Sequence, residues 1–160
     1  MTEADRRTVL LGMNNPLSSD QYHALYPAPE GCTGWRLWRM LYEAAQAEGG
    51  AGVLRSSYAL VLDRRNVLPG REWDARTARR YGAVLVDELH GRRVVLVGVS
   101  VLQALGLTRP GDWCRWVEEA GLTYTLVPHA SGRCREYNDP AMRERVGRLL
   151  LGEYRRSVGL

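Results

Sequence analysis

The 160-residue chain contains no lysine, no phenylalanine and no isoleucine; all 22 of its basic residues are arginine. Without lysine there is no P-loop ammonium to reach a nucleotide phosphate, and no side-chain amine to form a Schiff base. The three absences together point to the codon usage of a GC-rich genome rather than to a function. Cysteine is scarce. Cys32, Cys114 and Cys134 match no zinc or redox spacing and fall short of the four thiolates usual for an iron–sulfur cluster, so free thiols in a reducing compartment are expected. No apolar run approaches the roughly 20 residues of a membrane span, and Met1–Arg7 lacks the apolar core of a signal peptide. A cytoplasmic protein with no membrane partner is the expectation. There is no G-x-G-x-x-G, so the dinucleotide fingerprint is missing, and neither a repeat nor a low-complexity linker is present. No cofactor or metal is expected.

What is present is ordinary in bulk: 45% hydrophobic and 25% charged residues. A chain of this length can bury roughly 70% of its unfolded surface, and one monomeric domain over residues 1–160 is expected. The net charge of +4 permits a polyanionic partner, although solvated surface charge accounts for it equally well.

Four apolar runs read as strands: Thr8–Met13, Tyr58–Leu62, Val94–Val99 and Tyr124–Val127. Between them lie helix-length segments. Ser18-Ser19-Asp20 precedes a short helix carrying Tyr22, Leu25 and Tyr26. Gly34–Ala47 repeats Trp35, Trp38, Leu41, Tyr42 and Ala45 at helical spacing and stops at Gly49-Gly50. Residues 73–90 form an arginine-rich helix with Ala78, Tyr81, Leu85 and Leu89 inward. Ser100 caps a helix through Leu105, residues 112–120 form another short one, and Asn138 or Asp139 with Pro140 starts a terminal helix to about Arg156. Alternating strands and helices predict an α/β protein, a three-layer α/β/α domain around a four-stranded, mainly parallel sheet. The loops after the first and fourth strands, Gly12–Asp20 and Pro128–Arg135, would then emerge at one carboxyl edge, where open α/β sheets bind ligands.

Three motifs in this order resemble the uracil-DNA glycosylase superfamily, nearest its mismatch-specific uracil/thymine branch. Gly12-Met13-Asn14-Asn15-Pro16 stands where that branch has Gly-Ile-Asn-Pro-Gly. Cys32-Thr33-Gly34-Trp35-Arg36-Leu37-Trp38-Arg39 occupies the place of Asn-Arg-Phe-Trp-Lys, and His129-Ala130-Ser131-Gly132-Arg133 that of His-Pro-Ser-Gly with its basic tail. The similarity runs from about residue 8 to 151. It departs from the family in an extra Asn before Pro16, in Ala130 for proline, and in the absent Phe that often stacks on the base.

The resemblance implies a monofunctional DNA glycosylase that flips a uracil, or a modified or mismatched pyrimidine, out of DNA and hydrolyses its N-glycosidic bond. Asn14 is placed as the water-positioning residue, with Asn15 its rival; an amide orients water but cannot take its proton. His129, when neutral, can donate a ring N–H to a pyrimidine O2 as charge develops on the departing base. Gly12, Met13 and Asn15 contribute turn N–H groups, Ser131 belongs to the substrate loop, and Asn66 offers donor and acceptor to the Watson–Crick edge. Tyr22, Tyr26 and Trp35 are candidates to stack on the base, although Trp35 and Trp38 at helical spacing equally suit a core. Arg133 and Arg135 fall in the loop that enters DNA and suit phosphate contact. Arg76, Arg79 and Arg80 read as a solvated helix face. With no lysine, and only the N-terminal amine left, base excision without strand cleavage is expected. The alternatives are a weak or inactive protein of the same fold that holds DNA or a nucleobase, and a different small α/β hydrolase or transferase acting on nucleotides.

Overall fold

The computed structural model describes residues 6–159. The first five residues of the polar amino-terminal stretch lie outside them. At the centre is a five-stranded sheet in the order β2-β1-β3-β5-β4. Its strands are β1 (Val9–Asn15), β2 (Asp63–Pro69), β3 (Arg93–Val97), β4 (Val117–Glu119) and β5 (Leu122–Val127). β1, β2, β3 and β5 are mutually parallel, and the short edge strand β4 pairs antiparallel with β5. The helices are α1 (Thr33–Ala47), α2 (Arg55–Val61), α3 (Ala75–Glu88), α4 (Val99–Leu105) and α5 (Pro140–Ser157).

Helices cover both faces, because successive strand residues point to opposite sides. Leu10, Val95, Val97 and Val127 pack against Leu37 and Leu41 of α1, Tyr58 of α2 and Leu150 of α5. Val9, Leu11, Val94 and Leu96 pack on the other face against Ala78 and Leu85 of α3 and Val101 of α4. The connection after β1 leads outward to β2, and the connection after β2 crosses back over β1 to β3. That reversal is a topological switch point, and the carboxyl ends of the strands beside it are where such sheets leave a crevice.

Several expectations are corrected. The sheet has five strands, not four. The apolar run Tyr58–Leu62 is not the second strand: α2 covers Arg55–Val61, with Tyr58, Ala59 and Leu62 buried and Leu60 68% exposed. That spacing of one and four is helical, although over a few apolar residues it is easily mistaken for a buried strand. The true β2 is the charged segment that follows. It tolerates charge as an edge strand: Asp63 pairs with Arg65 at 2.9 Å and with Arg92 at 3.0 Å, and Pro69 ends it. Asn66 therefore lies inside a strand, directly opposite Gly12, rather than in a loop beyond one.

Residues 112–120 contain β4 instead of a helix, joined to β5 through Ala120 and Gly121, both at positive φ. This is the backbone of a tight hairpin turn carried by an unusual residue pair. Ser100 caps nothing; Gly98 precedes α4. Tyr81 is exposed rather than inward, and the segment after Asp20 forms only a single 3-10 turn, Gln21–His23. The terminal helix begins as expected, with Asp139 accepting the Ala141 N–H and Pro140 in the first turn.

Candidate functional site

A cleft of about 550 Å³ opens at the carboxyl edge of the sheet, beside the switch point. Asn14 and Asn15 from the end of β1, Tyr26 from the loop between β1 and α1, Gly34 from the start of α1, Asn66 from β2 and His129 from the loop after β5 all line it. Residues more than a hundred positions apart thus face one space, as the parallel arrangement of β1 and β5 requires. The lining holds no Asp, Glu or Arg.

Each polar group is held in a definite orientation. The Asn14 carboxamide donates through Nδ2 to the Arg71 carbonyl at 3.0 Å, which leaves its Oδ1 without a partner among the described residues. The Asn15 carboxamide is turned the other way: its Oδ1 accepts the Leu17 N–H at 3.0 Å. The Asn66 residue is 4% exposed, yet its carboxamide makes no hydrogen bond to any described residue. Its backbone is gripped by the Gln21 side chain, which accepts the Asn66 N–H at 2.9 Å and donates to the Asn66 carbonyl at 3.2 Å. The donor and acceptor of the Asn66 side chain are both free and open to the cleft, where water or a ligand can meet them. The His129 imidazole makes no hydrogen bond to a described residue either, and burial pushes its pKa below the usual imidazole range, so it is neutral at pH 7.

Two glycines let the backbone come close enough to build this space. A β-carbon at Gly12 would stand 2.8 Å from Asn66 Oδ1 and 2.9 Å from Leu25. A β-carbon at Gly34 would stand 2.2 Å from the Tyr26 carbonyl oxygen and 2.3 Å from that of Leu25. The start of α1 is therefore pressed against the loop that carries Tyr26. That loop is tied down by the buried Arg64, which donates to the carbonyls of Tyr22 and Ala24, each at 2.8 Å, and to that of Ala59 at 3.0 Å. Its guanidinium also lies 5.3 Å from the Tyr22 ring and 5.5 Å from the Tyr26 ring.

Other expected residues stand elsewhere. Gly12 is buried beneath the cleft and does not line it. Tyr22 is exposed outside it, its ring tilted against that of Tyr26 with centroids 5.5 Å apart. Trp38 is core, its indole donating to the Val53 carbonyl at 2.8 Å. Trp35 and Ser131 line a separate cavity of about 140 Å³, together with Arg36, Arg39, Glu43 and Arg143. Arg133 and Arg135 are exposed and form no ion pair among the described residues. Arg76, Arg79 and Arg80 are exposed on α3.

Gln21, Arg64 and Gly34 were not singled out from the sequence. Gln21 carries no local signal, and Arg64 was hidden because its segment read as a loop. Comparison of the chain with known protein families and with curated proteins gives no match.

Proposed function

We propose that the cleft receives a flipped pyrimidine nucleotide, and that the protein is a monofunctional DNA glycosylase. The observation that carries this reading is the Asn66 carboxamide, free of hydrogen-bond partners among the described residues and open to the same cleft, without Asp, Glu or Arg, as Asn14 and a neutral His129. A pyrimidine edge presents both donors and acceptors, which is what a free carboxamide matches. A cleft without charge suits a neutral heterocycle and gives a phosphate group no counter-charge.

The orientation of the two amides favours Asn14 over Asn15. Asn14 has a free oxygen that can accept a hydrogen bond from water and aim its lone pair at C1′, whereas the oxygen of Asn15 is spent on the turn. Water oxygen bonds to C1′ as the C1′–N1 bond breaks, and the electron pair leaves with the base. His129 donates a ring N–H toward the base O2, where the negative charge gathers. The water's proton passes to solvent or to the departing base, because neither amide can hold it. Such a site works best on bases that leave or unpair readily. Phosphates flanking the flipped nucleotide fall to Arg133 and Arg135.

The cleft also contains no carboxylate to act as a base. That favours a second reading, a protein of this architecture that binds a flipped base without cutting. Oligonucleotides carrying uracil, mismatched thymine or a modified pyrimidine, incubated with the protein and then treated with hot alkali, separate the two. Breaks only after alkali, and no borohydride-trapped complex, support the glycosylase. A gel shift with no alkali-labile product from any pyrimidine supports the binder.

A further inference from the structure

The cavity of about 140 Å³ beside the cleft gathers more positive charge than the described residues answer. Its basic side chains come from two helices. Arg36 and Arg39 stand three positions apart on α1, and Arg143 lies early in α5. Gly147, one turn further along the same face of α5, lets the helices close. A β-carbon there would stand 2.5 Å from the carbonyl oxygen of Met40, which lies one turn beyond Arg36. Arg36 and Arg143 also sit near the positive amino-terminal ends of their helices, neither of which carries an acid in its first turn. Helix packing thus holds two cations together where the helix dipoles oppose them.

Each of these two guanidinium groups is aimed by one contact and keeps most of its donors. Arg36 Nε donates to the Gly31 carbonyl at 3.0 Å, and Arg143 Nη1 donates to the Tyr137 carbonyl. Arg39 is held by Glu43 at 2.8 Å, whereas Arg36 and Arg143 form no ion pair among the described residues. Gly132 keeps the free end of Arg36 clear, because a β-carbon there would stand 3.0 Å from its Nη2. The Ser131 hydroxyl, bonded to no described residue, belongs to the same lining. Two unanswered charges and fork-shaped donors call for a ligand of matching charge with several oxygens. A phosphomonoester offers about two negative charges and three free oxygens. A carboxylate or an internal phosphodiester of nucleic acid offers a single charge and fewer oxygens. We propose that this cavity binds a phosphomonoester dianion, either a free ester or the 5′-phosphate at the end of a strand. The site is separate from the cleft, and the proposal stands whether or not the cleft cuts a base.

The test titrates methyl phosphate and dimethyl phosphate into the full chain by calorimetry, at fixed ionic strength and about pH 7.5, well above the monoester's second pKa of about 6. Methyl phosphate should bind at least about tenfold tighter than the diester, and Arg36→Gln or Arg143→Gln should each weaken it at least about tenfold. Gly132→Ala, which crowds Arg36 without removing its charge, should weaken it too. Arg79→Gln, on the exposed face of α3, should leave it unchanged. The urea midpoint checks that each variant is folded, and because Arg36 and Arg143 stand on different helices, misfolding of one leaves the other as the test. Equal affinity for the two esters, no binding of methyl phosphate, or full affinity in the folded glutamine variants overturns the site. Competition against methyl phosphate by a short strand with a 5′-phosphate, and by the same strand with a 5′-hydroxyl, separates the sources. Displacement by the phosphorylated strand alone supports strand ends, and displacement by neither supports free esters. Equal displacement by both assigns the cavity to the phosphodiester backbone and overturns the proposal.

Discussion

Two cavities lie side by side in this protein and differ in kind. The larger cleft is lined by amides, two imidazoles, hydroxyls and apolar side chains, with no Asp, Glu or Arg. The smaller cavity holds three arginines, Arg36, Arg39 and Arg143, against one carboxylate, Glu43. The same two segments wall both: Gly34 and His129 face the cleft, while the adjacent Trp35, Ala130 and Ser131 face the cationic cavity. Beyond Ser131, Gly132 abuts Arg36 and Arg133 stands in solvent. One turn of helix and one loop thus divide a cleft without Asp, Glu or Arg from a cationic surface. This is the division expected when a base and its phosphate chain are held by different parts of one protein.

That comparison can be broken first at the neutral side. Asn14→Ala removes the free oxygen that aligns water. On the proposed reading the single-turnover rate falls by about 10²–10³-fold, the scale of deleting one preorganised polar group, while DNA affinity holds. Equal loss of rate and affinity would assign Asn14 to binding instead. Gly34→Ala drives a methyl group into two backbone carbonyls and should destabilise by about 1–3 kcal/mol, read as a lower midpoint in urea. An unchanged midpoint would show that the wall between the cavities can move. On the cationic side, Arg133→Ala should weaken DNA binding about equally for all sequences and lower the salt slope by about 0.9 for one lost phosphate contact. A sequence-dependent loss would place Arg133 on bases.

The smallest effect concerns pH. Burial lowers the pKa of His129 in the folded chain, so the unfolded chain binds the extra proton more readily. Stability from this group is full above about pH 6.5 and falls as pH drops from there through the folded value. His129→Gln should flatten the urea midpoint over that window, and an unchanged pH dependence would place the titration elsewhere.

The cleft was more legible than the sheet that builds it. Asn14, Asn15 and His129 could be picked out because two apolar runs ended in polar, proline-bearing loops, and parallel strands bring such loops to one edge, whereas Asn66 came only through the family resemblance. The terminal helix was legible through Asp139 and Pro140, a cap and a first-turn residue with local chemistry. β2 was not legible. Its Asp63, Arg64 and Arg65 look like a loop, and they become a strand only because an arginine network and the Ala59 carbonyl answer their charges. β4 was hidden by an Ala-Gly turn, where Asn-Gly or Asp-Gly would have announced a hairpin. Ser131 was placed in the right loop, but on the wrong side of it; a loop's sequence does not say which of two adjoining spaces each residue faces.

The cleft takes most of its lining from residues 13–34, but Asn66 comes from the middle of β2 and His129 from the loop after β5, so no short fragment of the chain contains it whole. A molecule that meets Asn66 and His129 as well as Asn14 has its full set of partners only when strands far apart in the sequence are folded onto one sheet. Occupancy is then linked to melting of the whole sheet: a ligand at a hundred times its Kd adds about 2.7 kcal/mol to the folded state. The melting temperature becomes a gauge of what the cleft accepts. A panel of free bases and nucleosides can be ranked by thermal shift alone, before any reaction is assayed.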